Sequence, residues 1–225
     1  MEVKPIAHIE TDFPSKFGVP RQSGLVKGLK GRIVFEKEYR DPEALRGLEG
    51  FSHIWLLWDF SEARRENEGW RPTVRPPRLG GNRRMGVFAT RSPFRPNNIG
   101  LSSVRIIGID LHTSEGPVIE VEGADLMDGT PIFDIKPYLP FTDSHPDALA
   151  GFAEETSANQ ISTVRFSQEL LSAFDEEHIE ALREVLLSDP RPHYHDDSER
   201  IYAMEFAGKE VKFCVKEESI EAWVE

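Results

Sequence analysis

Over the first 140 residues the apolar positions recur at every second place or in short unbroken runs, with glycine and proline between the runs. Alternation of this kind belongs to strands, whose side chains point to opposite faces in turn. It predicts strands over 6–9, 31–39, 52–59, 85–90, 102–111, 118–126 and 133–138. Helix signals are sparse here. Asp41-Pro42-Glu43-Ala44-Leu45-Arg46 predicts one short turn, capped by Asp41 and with Pro42 at its first position. Seven short strands in such a span favour a closed sheet or a sandwich.

The texture changes between residues 140 and 160. A strand is predicted over 160–166, and Asp175 opens a helix with acids in its first turn. Ile179, Leu182 and Leu186 then share one face, and Asp189-Pro190 ends the helix. Segments 200–206 and 210–216 flank Ala207-Gly208-Lys209, a hairpin turn. The chain divides on this pattern into a mainly β part, 1–146, and a small acidic α+β part, 147–225, with no internal repeat.

Composition removes several classes. No apolar run reaches the roughly 18 residues of a membrane span, so no membrane is expected. The start, MEVKPIAHIETDF, lacks a secretory signal pattern and points to the cytoplasm. Cys214 is the only cysteine, which excludes a disulfide framework and suits a buried strand thiol. Pro-His-Tyr-His-Asp-Asp at 192–197 reads as a polar loop, and no metal is expected. A formal net charge of −12 argues against indiscriminate binding to nucleic acid. That average hides a division. Residues 71–109 carry eight arginines (71, 75, 78, 83, 84, 91, 95 and 105), no lysine and no acid, whereas 143–225 hold 20 acids against 7 bases. Arginine without lysine fits bidentate recognition of phosphate or carboxylate, or else a solvated face.

The densest chemistry lies in Gly86-Val87-Phe88-Ala89-Thr90-Arg91-Ser92-Pro93-Phe94-Arg95-Pro96-Asn97-Asn98-Ile99-Gly100-Leu101-Ser102. Two prolines stiffen a loop that holds Arg91 and Arg95 ready for an anion, and Phe94 either stacks a base or fills the core. This stretch closely resembles the signature of the TsaA-like, tRNA-methyltransferase O family. Lys16–Gln22, Arg46–His53, Trp70–Asn82 and Asp128–Tyr138 are similar to further family segments, in the family order. The likeness covers residues 5–146, and Asp189-Pro190-Arg191-Pro192 extends it into the tail.

The resemblance implies a single-sheeted, antiparallel-rich β-barrel that binds S-adenosylmethionine, often as a homodimer. The absence of a glycine-rich strand-to-helix turn fits that picture. It also implies cofactor contacts at Pro20, Arg21, Gln22, Ser61, Glu62, Arg91, Leu101, Asp128, Gly129, Thr130 and Pro131. Two departures stand out. Ser61-Glu62 replaces the His-Gln common in the family, and Asn98 replaces a proline, which is expected to loosen the loop. The implied reaction is methylation of N6 of threonylcarbamoyladenosine beside a tRNA anticodon. Asp134, Lys136 and Tyr138 alternate and would share one strand face, placing a carboxylate, an amine and a phenol together as base or substrate orienter. RNA contact is expected from Arg71, Arg75, Arg78, Arg83, Arg84, Arg95 and Asn97, with the tRNA anticodon loop as partner. Competing functions are methyl transfer to a small metabolite or protein, and a non-catalytic RNA- or nucleotide-binding module.

Overall fold

The computed structural model describes residues 2–63, 70–76, 79, 83–156, 161–191 and 200–224. In chain order the strands are β1 (Ala7–Glu10), β2 (Lys30–Phe35), β3 (His53–Asp59), β4 (Thr73–Val74), β5 (Met85–Gly86), β6 (Ile99–Thr113), β7 (Gly116–Glu122) and β8 (Thr130–Pro137). Then come α1 (Pro140–Asp143), β9 (Thr163–Phe166), α2 (Gln168–Ala173), α3 (Glu176–Leu187), β10 (Ile201–Phe206), β11 (Lys209–Lys216) and β12 (Ser219–Val224).

Six strands close into a barrel in the order β1-β2-β7-β6-β3-β8, every neighbouring pair antiparallel. Closure removes the exposed edges that an open sheet would present. The barrel is filled rather than hollow. Ile9, Ile33, Ile54, Leu56, Ile119 and Ile132 point inward and are fully buried, so branched side chains occupy its axis. Trp58 closes one end of this core. Its indole lies against Gly100, where an added Cβ would stand 2.2 Å from the ring. Only glycine allows the two strands their register there, Trp58 opposite Gly100.

Several expected strands are trimmed. Segment 31–39 leaves the sheet after Phe35 and continues as a 3-10 turn, Lys37–Tyr39. Segment 118–126 ends at Glu122, because Gly123 takes a positive φ of 80° and donates to the Leu29 carbonyl. Segment 85–90 does not join the barrel. Only Met85–Gly86 pairs, with β4, before a 3-10 turn at Val87–Ala89 is closed by Thr90 donating twice to the Val87 carbonyl. By contrast β6 starts three residues earlier and ends two later than the pattern indicates.

The expected caps hold. Asp41 accepts from the Glu43 amide at 3.0 Å and Asp175 from the His178 amide at 2.9 Å. Ile179, Leu182 and Leu186 are buried on α3. The hairpin turn has Ala207 and Gly208 both at positive φ, the geometry that matches strand twist. The last sheet has order β10-β11-β12-β9, with β12 and β9 parallel, and so includes a strand that the alternation over 200–216 did not indicate. Cys214 lies on the opposite face of β11 from buried Phe213 and Val215 and is only half-buried.

The second core draws on both ends of the chain. Phe13, Val26 and Leu29 pack among Leu170, Leu182, Leu186, Phe206 and Phe213. The segment 11–29 therefore runs between the barrel and α3. Its backbone is tied to both, with the Lys27 amide donating to Glu184 at 2.7 Å and the Gly24 amide to the Gly123 carbonyl at 2.9 Å.

Replacing Gly100 by alanine overpacks the Trp58 contact and is expected to cost about 1 to 3 kcal/mol. For a chain of this size the thermal midpoint should fall by about 2 to 10 °C. Calorimetry reads this directly, and an unchanged midpoint would show that the indole moves aside freely.

Candidate functional site

The segment 11–29 carries Pro20, Arg21 and Gln22 across the gap between the two cores. Pro20 is buried. Arg21 donates through Nη2 to the carbonyls of Asp189 (2.8 Å) and Arg191 (3.0 Å), just past the end of α3. That turn is itself locked. Asp189 adopts a positive φ of 48°, and its carboxylate receives two parallel bonds of 2.8 Å from the Arg191 guanidinium. Gln22, next in line, donates to the Arg21 carbonyl and accepts from the guanidinium of Arg91. Three of the expected cofactor residues, Arg21, Gln22 and Arg91, thus form one chain of contacts anchored on the C-terminal part.

Arg91 opens the loop that joins β5 to β6, and its side chain is exposed. The loop is held from within. Arg95 turns inward and donates to the Thr90 carbonyl at 2.7 Å, with longer approaches to Val87 and Ser92. Asn98 donates to the Pro93 carbonyl at 2.6 Å, and its own carbonyl accepts from the Phe60 amide at 2.9 Å. Asn98 therefore ties the loop rather than loosening it, because its amide supplies a cross-loop bond that proline cannot make. Arg95, expected on the RNA side, organises the loop carbonyls. Asn97 is exposed at the apex.

A buried polar relay runs beneath this loop. The Trp58 indole donates to Ser102 at 3.0 Å, and the Ser102 hydroxyl donates to Asp125 at 2.5 Å. Burial pushes the Asp125 carboxyl above the ordinary aspartate value. The Ser102 hydroxyl, the backbone amides of Asp125 and Ser23, and the charge of Arg91 act in the opposite sense. Asp125 thus reaches both the 20–23 loop and Arg91. Sequence reasoning passed over it, although an acid between apolar Ala124 and Leu126 in the segment 118–126 is a signal of a carboxylate held near the core.

The turn Asp128-Gly129-Thr130-Pro131 is built as a tight backbone crossing. Gly129 has a φ of 72°, Asp128 accepts from the Thr11 amide at 3.0 Å, and the buried Thr130 hydroxyl donates to the Met127 carbonyl at 2.7 Å. These bonds run to the root of segment 11–29, not to Gln22 or Arg91, and Pro131 lies opposite His8 at the start of β8. Ser61 and Glu62 sit exposed on a 3-10 turn after β3.

On the outside of the barrel, Leu101, Leu57 and Asp134 lie side by side on β6, β3 and β8, and Ser103, Trp55 and Lys136 form the next row. Lys136 and Asp134 pair at 2.9 Å. The Tyr138 ring lies 5.5 Å from Trp55 and 6.2 Å from His53. The expected triad does share a face, and a bulge at Leu57/Trp58 sets its register. Trp55 in turn donates to Asp143 at 2.8 Å; this bond and the Leu139 amide hold the Asp143 carboxyl below its ordinary value.

Arg71, Arg75, Arg83 and Arg84 are exposed, while Arg78 and the 192–197 segment lie outside the described residues. Arg105 pairs with Glu122 at 3.2 Å. Among the described residues no group of three or more His, Cys, Asp or Glu side chains could hold a metal ion, and no helix is long and apolar enough to cross a membrane.

A closed, filled antiparallel barrel with Arg91 held by Gln22, beside exposed arginines on the segment leading into the β5–β6 loop, defines a β-barrel protein with a basic face. A family model for the tRNA-methyltransferase O N-terminal domain matches residues 8–144, and one for the TrmO C-terminal domain matches 159–223. The chain belongs to the tRNA-methyltransferase O family. It is 42% identical over 230 residues to the tRNA (adenine(37)-N6)-methyltransferase of Escherichia coli (strain K12), spanning 99% of this chain and 96% of that one. A Pseudomonas aeruginosa relative, whose name designates an S-adenosylmethionine-dependent methyltransferase, is 40% identical over 199 residues, 85% of this chain and 82% of its own. The crystal structure of TrmO from Pseudomonas aeruginosa superposes with a TM-score of 0.78 at 30% identity, covering 100% of this chain and 97% of that one.

The raised Asp125 carboxyl has a consequence for stability. Its protonated form is favoured by folding, so its contribution is full at acid pH and is lost as pH rises through the folded-state value. Asp125→Asn keeps an oxygen for the Ser102 hydroxyl and removes the buried charge. Thermal melts from acid to neutral pH are expected to show the variant gaining on the parent as pH rises and then levelling. A difference that stays constant across the series would contradict this.

Proposed function

We propose that this protein is an S-adenosylmethionine-dependent methyltransferase that methylates N6 of threonylcarbamoyladenosine beside the anticodon of tRNA, in the cytoplasm and as a homodimer. The full-length likeness to a tRNA (adenine(37)-N6)-methyltransferase carries the proposal, together with an Arg91 that is exposed, braced by Gln22 and set in a tied loop. Leu101 (55% exposed), Ile107 and Leu111 are exposed apolar side chains on β6, the kind of residue a second copy would cover. The barrel supplies the site, and residues 159–223 contribute by holding Arg21.

The residues present fit the cofactor. Arg91 suits a carboxylate, Leu101 and Leu57 pair across β6 and β3 as an apolar surface, and the Asp128–Gly129 turn exposes backbone for close approach. When bound, S-adenosylmethionine supplies a methyl group on a sulfonium whose departure needs no proton. The chain's own task is then to orient the acceptor nitrogen and to take its proton. That nitrogen is urea-like, with its lone pair delocalised, so proton removal assists attack. Asp134 is the carboxylate for this role, with Lys136 paired to it at 2.9 Å and Tyr138 orienting the base beside Trp55.

Labelled methyl transfer to tRNA lacking this methyl group, run beside tRNA lacking the threonylcarbamoyl group, tests the reaction. Methylation of the first alone is expected, with tRNA affinity falling as salt rises. Transfer to neither, with cofactor binding intact, would move the activity to a metabolite or protein acceptor or to a binding role.

Arg91→Ala is expected to weaken S-adenosylmethionine binding by about 1.5 to 3 kcal/mol, roughly ten- to hundredfold, as a charged hydrogen bond is lost. Arg191→Ala should weaken it in the same direction but less, because it frees the turn that holds Arg21. Isothermal titration reads both, and unchanged affinity in Arg91→Ala would remove that residue from the site.

A further inference from the structure

Two large aromatic side chains stand in solvent beside the loop. Phe88 is 71% exposed and Trp70 53% exposed, and their rings lie 6.0 Å apart at 32°. Their placement follows from the backbone. β4 and β5 pair Thr73 with Gly86, the Val87 amide donates to the Pro72 carbonyl at 2.9 Å, and Val87 is buried. With Val87 pinned inward, the next residue in the tight 3-10 turn is turned outward.

Phe88 also walls a groove completed by Arg95, Pro96, Asn97 and Ile99. A second groove is lined by Val3, Asp59, Pro96, Asn97, Asn98, Ile99 and Phe133, and Phe133 precedes Asp134 on β8. Pro96, Asn97 and Ile99 line both grooves and form the ridge that they share. The ridge is stiff, since Arg95 and Asn98 are bonded across the loop to the Thr90 and Pro93 carbonyls.

We propose that this ridge separates two consecutive unpaired nucleotides of an RNA, with the base beside the target adenosine stacked on the Phe88–Trp70 pair. The proposal rests on the tRNA reading above and names a binding subsite for it. Charge selects the occupant. Residues 71–109 contain no acid, and Arg71, Arg75, Arg83 and Arg84, between Trp70 and Phe88 in the sequence, are exposed, whereas the rest of the chain carries −20. Aromatic faces interleaved with arginine accept any base, while phosphates pair with the guanidinium groups. The exposed Asn97 amide at the groove then meets the base edge, with Arg95 stiffening the loop behind it.

The test uses the full chain with Phe88→Ala, Phe88→Leu, Trp70→Ala and Trp70→Phe. For methyl transfer, KM for tRNA should rise about 5- to 100-fold in the two alanine variants, the range for loss of one base stack, with kcat little changed. S-adenosylmethionine affinity and the thermal midpoint should stay at parent values. Trp70→Phe should retain binding, Phe88→Leu should not, and an anticodon stem-loop should quench fluorescence in the parent but much less in Trp70→Phe. An unchanged KM in folded Phe88→Ala, or full activity in Phe88→Leu, overturns the stacking site. So does a shift from dimer to monomer in the alanine variants, which would make the pair a contact between copies. The two proposals fail separately: a parent that methylates tRNA alongside a normal Phe88→Ala sinks only the subsite. A parent with no transfer but with Phe88-dependent quenching by RNA sinks only the reaction.

Discussion

Burial of Phe13, Val26 and Leu29 in the second core is the contact on which the site depends. Segment 11–29 has no helix or strand of its own, so its shape is imposed by the two bodies it touches. Anchored at both ends, it must bring Pro20, Arg21 and Gln22 across the rim. Gly18, at a φ of 101°, lets it pass Met204 of β10, where a side chain would meet sulfur at 2.7 Å. The two carbonyls beyond α3 then catch Arg21, and Gln22 catches Arg91. A segment fixed in this way has little conformational entropy left to lose, and the second core is what fixes it.

Charge is arranged on the same plan. Acids are concentrated after residue 143, where they cap α3 and face the segment, as in the Lys30–Glu177 pair and the Asp12–His178–Asp175 group. Arginines are concentrated where the loop meets solvent. Between them lies Asp125, within the field of Arg91 and partly withdrawn from water. The exposed guanidinium groups are thus the positive face of a chain that is at −12 overall.

The barrel itself was implied by resemblance, but the alternation of apolar residues was enough to read most of the strands and a closed sheet or sandwich, because a strand with one face in the core writes that face into every second position. Ile54, Leu56 and Trp58 are the plainest case. Caps and hairpin were equally legible, since Asp175 and Ala207-Gly208 act within a few residues of themselves. The same pattern misled over 85–90, where Phe88 belongs to no core and Thr90 closes a turn instead of extending a strand. At the site, resemblance named Arg21, Gln22 and Arg91 but not what holds them. Arg21 and its carbonyl partners are separated by 168 and 170 positions, beyond any local periodicity. Asp125 and Asn98 were misjudged for a related reason, as their roles follow from single hydrogen bonds across a loop or between strands.

One feature of the second sheet bears on how the molecule is made. β12 lies between β11 and β9 and, among the described residues, joins β9 to the hairpin. Phe13 and Leu29 pack among residues between Ile161 and Ala222, so the second core closes only through contacts far apart in sequence, a separation that favours slow closure. Segment 11–29 therefore takes its shape from the slower of the two cores, and loss of β12 would leave the barrel closed with that segment less firmly held.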